Sequence, residues 1–270
     1  IRKILHEEKR DGIQIIPKIE NQEGFDNLDA ILEVSDGVMV ARGDLGVDVS
    51  LELVPIYQKA IIKAANRVGK PVVTATHMLE SMQSNPRPTR AEASDVANAI
   101  LDGTDCIMLS GESAAGMYPI EAVHTMDTIG KAIEQTFPYK DRLKSAVKSC
   151  QKTRNDAIGI SVADTALALD VKAAIAFTQS GNTARRLAKF RPKCPIFAVC
   201  FDEVTQRALA PVWGVTTVLS EVSNNLGNEI ELASNIAKEQ GVKLGELIIV
   251  VAGYPVGVGA TNAMKIIEVR

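Results

Sequence analysis

The sequence predicts an α/β protein: half of a (β/α)8 TIM barrel followed by a smaller α/β domain with a mostly parallel sheet of about five strands. Three observations carry this. Four short apolar runs, Ile13–Pro17, Val38–Val40, Pro71–Ala75 and Cys106–Leu109, alternate with helical stretches, the pattern of parallel strands joined by right-handed crossovers. Such alternation usually belongs either to a doubly wound fold or to an eight-stranded barrel; four strands alone cannot close a barrel, so the series fits half of one. A polar stretch without strong periodicity, 138–154, then precedes a second alternating series, placing the domains at 1–137 and 138–270.

In chain order, Ile1–Glu7 reads as helix. The chain opens on it without an initiator methionine, which suggests a cut through a larger domain. Glu23–Val34 is amphipathic, with Phe25, Leu28, Ile31 and Leu32 at helical spacing, and Asp36-Gly37 turns into the second run. Leu51–Val68 is a second helix, closed by Gly69 before Pro71 opens the third strand. Asn85–Pro88 is a loop; Thr89 with Glu92 forms a capping box for a helix through Ile100, which Gly103 ends. Pro119–Phe137 closes the first series as a helix. The second series reads as helix 156–168, strand 173–178, helix 183–189, strand 196–199, a short helix from Glu203, a strand near 215–218, helix 228–240, strand 247–252 and an edge strand at 264–269.

Composition narrows the function. A chain of 270 residues, 46% hydrophobic with net charge −3, has no basic excess to suggest nucleic acid or a membrane surface as partner. Its apolar stretches are too short for a membrane span, and it carries no secretory signal. Cysteines 106, 150, 194 and 200 form no CxxC pair, which suggests reduced thiols and a cytoplasmic setting. Three scattered histidines argue against a histidine-rich metal site.

Polar clusters follow each apolar run: Lys18 with Glu20, Arg42-Gly43-Asp44, Thr76, and Ser110-Gly111-Glu112. Loops after parallel strands share one face, so these groups should converge. A carboxylate pair, a lysine, a glycine-rich turn and hydroxyls on one rim suit a metal-assisted reaction on a phosphorylated anion. Each cluster also has a plainer explanation. Lys18 and Glu20 could be a solvent-facing ion pair, Asp44 a helix cap, Thr76 an ordinary strand end and Ser110 an N-cap with Glu112 in the first turn. In the second series, Thr178-Gln179-Ser180-Gly181-Asn182-Thr183 joins a strand to a helix start able to hold an anion, and Gly253–Asn262 could close over it. Arg185, Arg186 and Lys189 read as a solvated helix face.

The motifs IPKIENQEG, DGVMVARGDLGV, TATHMLESM, NPRPTRAEASDVANAILDGTD and MLSGESAAGMYP, in this order, resemble pyruvate kinase from about Ile13 to the chain end. The resemblance implies the second half of that family's barrel and its C-terminal regulatory domain. The motifs of the family's first half, which hold K⁺ and part of the nucleotide site, have no counterpart here. It further implies that Lys18 stabilises the phosphoryl group in flight, and that Glu20 and Asp44 bind Mg²⁺ or Mn²⁺. The Gly43 and Asp44 amides would hold the carboxylate of phosphoenolpyruvate. Thr76 would sit at the carbon that gains a proton, with Ser110 and Glu112 supporting the relay. Where the family usually carries Gln, this chain has His77. The phosphoryl acceptor would be ADP and the chain alone would be inactive; the alternative is a non-catalytic fragment binding phosphorylated effectors or partner subunits. Thr178, Ser180, Asn182 and Thr183 would bind a phosphorylated effector. Gln240 stands where fructose-bisphosphate-regulated members carry arginine, leaving a sugar monophosphate, AMP or no effector open. A homotetramer would use the helix after Pro88, with Arg90 and Asp95 at an interface.

Overall fold

Parallel strands laid down in chain order build the first sheet, β1-β2-β3-β4, in a computed structural model that describes residues 1–220, 229–253 and 261–270. The chain divides into two units, Ile1–Phe137 and Pro138–Arg270. In the first, α1 (Arg2–Glu7) precedes β1 (Lys18–Ile19), α2 (Gln22–Asp26), α3 (Leu28–Val34), β2 (Val38–Ala41), α4 (Arg42–Asp48) and α5 (Val54–Val68). Then come β3 (Val72–Ala75), α6 (Arg90–Asp102), β4 (Cys106–Ile107), α7 (Gly111–Ala114) and α8 (Pro119–Gln135). Ile19, Val38, Val40 and Val72 of the strands pack on Leu28 and Leu32 of α3 and Ile61, Ile62 and Ala65 of α5. A second cluster joins Met78, Leu79 and Met82 to α6 and α8.

Three local expectations change here. The run Ile13–Pro17 is not the strand; the ladder falls on Lys18–Ile19. Pro17 has no N–H to give, and the Ile15 N–H is taken by Asp36 Oδ2 at 2.7 Å. The helix expected over 23–34 breaks at Asn27, whose side chain donates to the Glu23 carbonyl at the end of α2. The expected glycine-rich turn at Arg42–Gly46 is instead the helix α4.

The second unit comprises α9 (Tyr139–Ser149), α10 (Arg154–Ala168), β5 (Ala173–Thr178), α11 (Asn182–Lys189), β6 (Ile196–Cys200) and α12 (Glu203–Ala208), followed by β7 (Val215–Leu219), α13 (Glu229–Glu239), β8 (Leu247–Gly253) and β9 (Thr261–Glu268). The sheet order is β7-β6-β5-β8-β9, parallel except for the antiparallel edge strand β9. Strand side chains alternate between two buried faces. Ala174, Ala176, Ile196, Ala198, Ile249 and Val251 pack with α10 and α11, while Ala173, Ile175, Phe197, Val199, Ile248 and Val250 pack with α13. Asn228 and most of the loop 253–262, Tyr254–Ala260, lie outside the described residues.

Two readings of this half are corrected. The polar stretch 138–154 contains a helix, α9, held by Leu143 and Ala146 against Ala163 and Phe190; one narrow apolar contact suffices, so little periodicity marks it. Nor is Lys189 part of a solvated face. Its ammonium donates to Asp156 Oδ1 at 2.8 Å with both side chains more than nine-tenths buried. All four cysteines are free, and burial pushes the Cys194 thiol up to about 12 and the Cys200 thiol up to about 11. Burial thus disfavours the thiolate at both positions.

Candidate active site

Register brings the four strand ends level: Ile19 pairs with Val40, Val40 with Thr74, and Thr74 with Ile107. The residues that follow, Glu20, Arg42, Thr76 and the segment to Ser110, leave the sheet along one edge. Alternation buries Ile19 and leaves Lys18 exposed, with Glu20 on the same side. The Lys18 ammonium lies 2.6 Å from Glu20 Oε2 and 2.9 Å from Asp44 Oδ2. Contact with Glu20, then with Asp44, holds the Lys18 pKa well above the ordinary lysine value. The hydrogen bond from Lys18 holds the Asp44 carboxyl below its usual range. Lys18 and Asp44 are therefore both charged near neutrality.

These side chains suit a hard divalent cation. Glu20 Oε2 is buried and, although close to Lys18, makes no aligned hydrogen bond. Magnesium commonly takes one or two protein carboxylates and completes its shell with water and substrate oxygens. Glu20 and Asp44 offer two such carboxylates; among the described residues no group of three or more His, Cys, Asp or Glu is arranged to hold a metal.

Thr76 is held in an uncommon conformation. Thr76 (φ 65°) and His77 (φ 53°) are both left-handed although neither is glycine. That conformation costs about 1–2 kcal/mol per residue, and a β-branched side chain is among the least tolerant of it. Several bonds offset the cost. The Gly43 N–H donates to Thr76 Oγ1 at 2.7 Å, and that hydroxyl donates to the Ala75 carbonyl at 2.7 Å. Arg42 Nη2 and Nε donate to the Thr76 carbonyl at 2.6 and 3.2 Å. Gly43 sits in the first turn of α4, where amides lack an intrahelical acceptor, so Thr76 caps that helix from another loop. A carboxylate taking the Gly43 amide would have to displace or share with this hydroxyl.

Further charges brace the loop. Arg42, only 10% exposed at its side chain, is neutralised by Asp95 of α6, whose two oxygens lie 2.8 and 2.6 Å from Nη1. Glu112 is fully buried and accepts from the Leu79 N–H at 3.1 Å and the Ser110 N–H at 2.7 Å. Glu92 closes the capping box of α6 and also accepts from the Ser81 N–H and hydroxyl at 2.7 and 2.6 Å.

Of the residues singled out in the sequence, Lys18, Glu20 and Asp44 form one charged cluster. Gly43 and Thr76 form a second contact beside it. Glu112 accepts from the Leu79 and Ser110 N–H groups, and among the described residues neither Ser110 nor Glu112 is bonded to Lys18, Asp44 or Thr76. Sequence reasoning missed the bracing roles of Arg42, Asp95 and Glu92. The available signal was an arginine between a buried strand and a glycine, since a charge leaving a core must find partners. In the second unit Thr178 is buried, Ser180 exposed and Asn182 intermediate, while the buried Thr183 hydroxyl shares a 2.8 Å hydrogen bond with Thr261. Thr205 donates to the Gln179 carbonyl at 3.0 Å, and Gly181 opens α11 with φ 79°.

Residues 1–123 match the family model described as pyruvate kinase, barrel domain, and residues 156–267 match pyruvate kinase, alpha/beta domain. The chain is 54% identical over 268 residues to a pyruvate kinase of Geobacillus stearothermophilus, covering 98% of this chain and 46% of that protein. A Clostridium acetobutylicum pyruvate kinase is 51% identical, with 98% and 57% covered. A crystal structure of a pyruvate kinase from Cryptosporidium parvum is similar with a TM-score of 0.89 at 41% identity, over 96% of this chain and 52% of that one. The chain thus spans about half the length of the curated relatives it matches. With two successive family models accounting for most of its residues, the chain belongs to the pyruvate kinase family.

Proposed function

We propose that this chain supplies the phosphoryl-transfer and proton-transfer rim of a pyruvate kinase, which moves the phosphoryl group of phosphoenolpyruvate to ADP and protonates the enolate to pyruvate. The observation that carries this is the Lys18 ammonium set between Glu20 and Asp44, one residue from the Gly43–Thr76 contact. A loose phosphoryl-transfer transition state needs its charge neutralised in place rather than covalent help. Lys18, held protonated by two carboxylates, meets that need for the moving group. Glu20 and Asp44 would hold Mg²⁺ or Mn²⁺, which when bound supplies further charge neutralisation at the substrate oxygens. The Gly43 and Asp44 amides take the substrate carboxylate, and Thr76 faces the carbon that gains the proton. Glu112 fixes the Ser110 and Leu79 backbones behind that step.

In this reading 1–137 is the second half of the catalytic barrel and 138–270 the regulatory domain of a cytoplasmic glycolytic homotetramer. Arg90 and Asp95 lie at its interface. Thr178, Ser180, Asn182 and Thr183 meet a phosphorylated effector; Ser180 and Asn182 are the more accessible. K⁺ and part of the nucleotide are held by residues without counterpart in this sequence, so the chain alone is inactive and retains ligand binding.

The test couples pyruvate formation to lactate dehydrogenase for the full-length protein and for this chain, and follows Mn²⁺ binding by the loss of the free-ion spin-resonance signal. The full-length protein turns over, the chain does not, and Asp44→Asn weakens Mn²⁺ binding by at least about tenfold in both, the weight of one lost carboxylate ligand. Unchanged Mn²⁺ affinity in Asp44→Asn removes the proposed ion site. Normal turnover by the chain alone overturns the division of labour.

A further inference from the structure

We propose that Arg42 is a positioning residue for the protonation step: through its grip on the Thr76 carbonyl it keeps the Thr76 hydroxyl aimed from the strand end. The inference rests on the role given to Thr76 above and extends it to a residue outside the reacting set.

Adjacent residues, Arg42 and Gly43, take Thr76 from both ends. The Arg42 guanidinium holds the carbonyl with Nη2 at 2.6 Å and Nε at 3.2 Å, and the Gly43 amide holds the hydroxyl at 2.7 Å. Nε also reaches the Ala75 carbonyl at 3.2 Å, the group to which the Thr76 hydroxyl itself donates. The turn that results is left-handed at Thr76 and again at His77. Nothing in the side chain of threonine favours that conformation, so the partners impose it. Arg42 is in turn fixed by both oxygens of Asp95, with Gln58 Oε1 3.3 Å from Nη1. A planar fork suits this work: one edge holds a carbonyl while another nitrogen is tied to a carboxylate. Lysine, a single flexible point charge, cannot make both sets of bonds.

The chemical consequence follows from the step itself. The electron pair of the enolate C=C bond forms the new C–H bond, the enolate oxygen becomes the carbonyl, and the proton comes ultimately from water. The hydroxyl that relays or guides it must face the methylene carbon, and its direction is set at the Ala75 carbonyl, which takes both that hydroxyl and Arg42 Nε. Phosphoryl transfer, centred on Lys18, Glu20 and Asp44, depends less on that carbonyl.

The experiment uses the full-length protein with Arg42→Lys and Asp95→Asn. Deuterium uptake into the methyl group of pyruvate reads the proton step, steady-state kinetics with phosphoenolpyruvate read KM and kcat, and hydrogen exchange over residues 41–45 reads the Gly43 amide. Arg42→Lys is expected to slow methyl exchange about 10- to 100-fold, a larger factor than any rise in KM, and to deprotect residues 41–45. Asp95→Asn shifts all three in the same direction by less. Methyl exchange within about twofold of the unsubstituted protein, or unchanged protection of residues 41–45, overturns the proposal. So does an equal loss in the two steps, which marks a purely structural role. If Arg42→Lys fails to fold, Asp95→Asn decides by the same criteria, provided size-exclusion shows the assembly of the unsubstituted protein, because it keeps the guanidinium and then alters only its brace. An unsubstituted protein that forms no pyruvate overturns the functional reading above, and this inference with it.

Discussion

Both units run a central strand into a threonine-bearing turn, but they make the turn by opposite means. After β3 the chain goes left-handed at Thr76 and His77, and side chains from elsewhere hold it there. After β5 it goes left-handed at Gly181, which needs no such help. The strained turn carries the threonine proposed above for the proton step, and the relaxed one the loop proposed to meet an anion. Charge is distributed with the same contrast. In the first unit Lys18 and its two carboxylates are about half exposed, whereas in the second Lys189 and Asp156 are shut away from solvent. A charge kept in reach of solvent can be redeployed on a ligand; a buried pair serves only to fasten helices.

That contrast is most exposed to test at the buried pair. Asp156 accepts from Lys189 and from the Gln151 N–H at 3.0 Å, tying the segment before α10 to the end of α11. Asp156→Ala leaves the ammonium buried without its partner and is expected to cost the second unit about 3–5 kcal/mol in urea unfolding. Asp44→Asn, at an exposed pair, should leave the urea midpoint of the first unit nearly unchanged, whatever it does to the ion binding proposed above. A loss at Asp156 no greater than that at Asp44 would mean that burial does not separate the two sites.

The next effect concerns the turns themselves. A Cβ at Gly181 would lie 2.8 Å from Arg185 Nη1 and 3.1 Å from Leu209 Cδ2, and the residue would be left-handed besides. Gly181→Ala should therefore destabilise the second unit by about 1–2 kcal/mol, read as a lower urea midpoint. An unchanged midpoint would show that this turn, like the one at Thr76, can be imposed on a side chain.

How much of this was legible in the sequence depended on how local the cause was. The strand Ala173–Thr178, the capping box of Thr89 and Glu92, and the glycine stops at Gly69 and Gly103 each arise from neighbouring residues, and all appear where the pattern puts them. The polar groups at strand ends were legible because parallel topology alone sends them to one edge. What could not be read depended on distant partners. Lys189 meets an aspartate 33 residues away, and Arg42 reaches a carbonyl 34 residues and a carboxylate 53 residues along the chain. The left-handed Thr76 and His77 carry no glycine to announce them, and α9 buries too narrow a face to leave a periodic trace.

The smallest effect separates the two strained residues from each other. Thr76 is bonded at its carbonyl and its hydroxyl, so its conformation is tied to the site. His77 is exposed, and its side chain has no such evident task. Replacing His77 by glycine removes a left-handed penalty of about 1–2 kcal/mol but adds back about 0.4–1 kcal/mol of chain entropy in the unfolded state. His77→Gly is therefore expected to raise stability by up to about 1.6 kcal/mol, measured as a higher urea midpoint for the first unit, with methyl exchange into pyruvate unchanged in the full-length protein. The sign matters more than the size. A gain places the functional strain at Thr76 alone, with His77 merely following it round the turn. A loss, or a slower proton step, means the two residues form one strained unit and that the position after Thr76 helps to aim the hydroxyl.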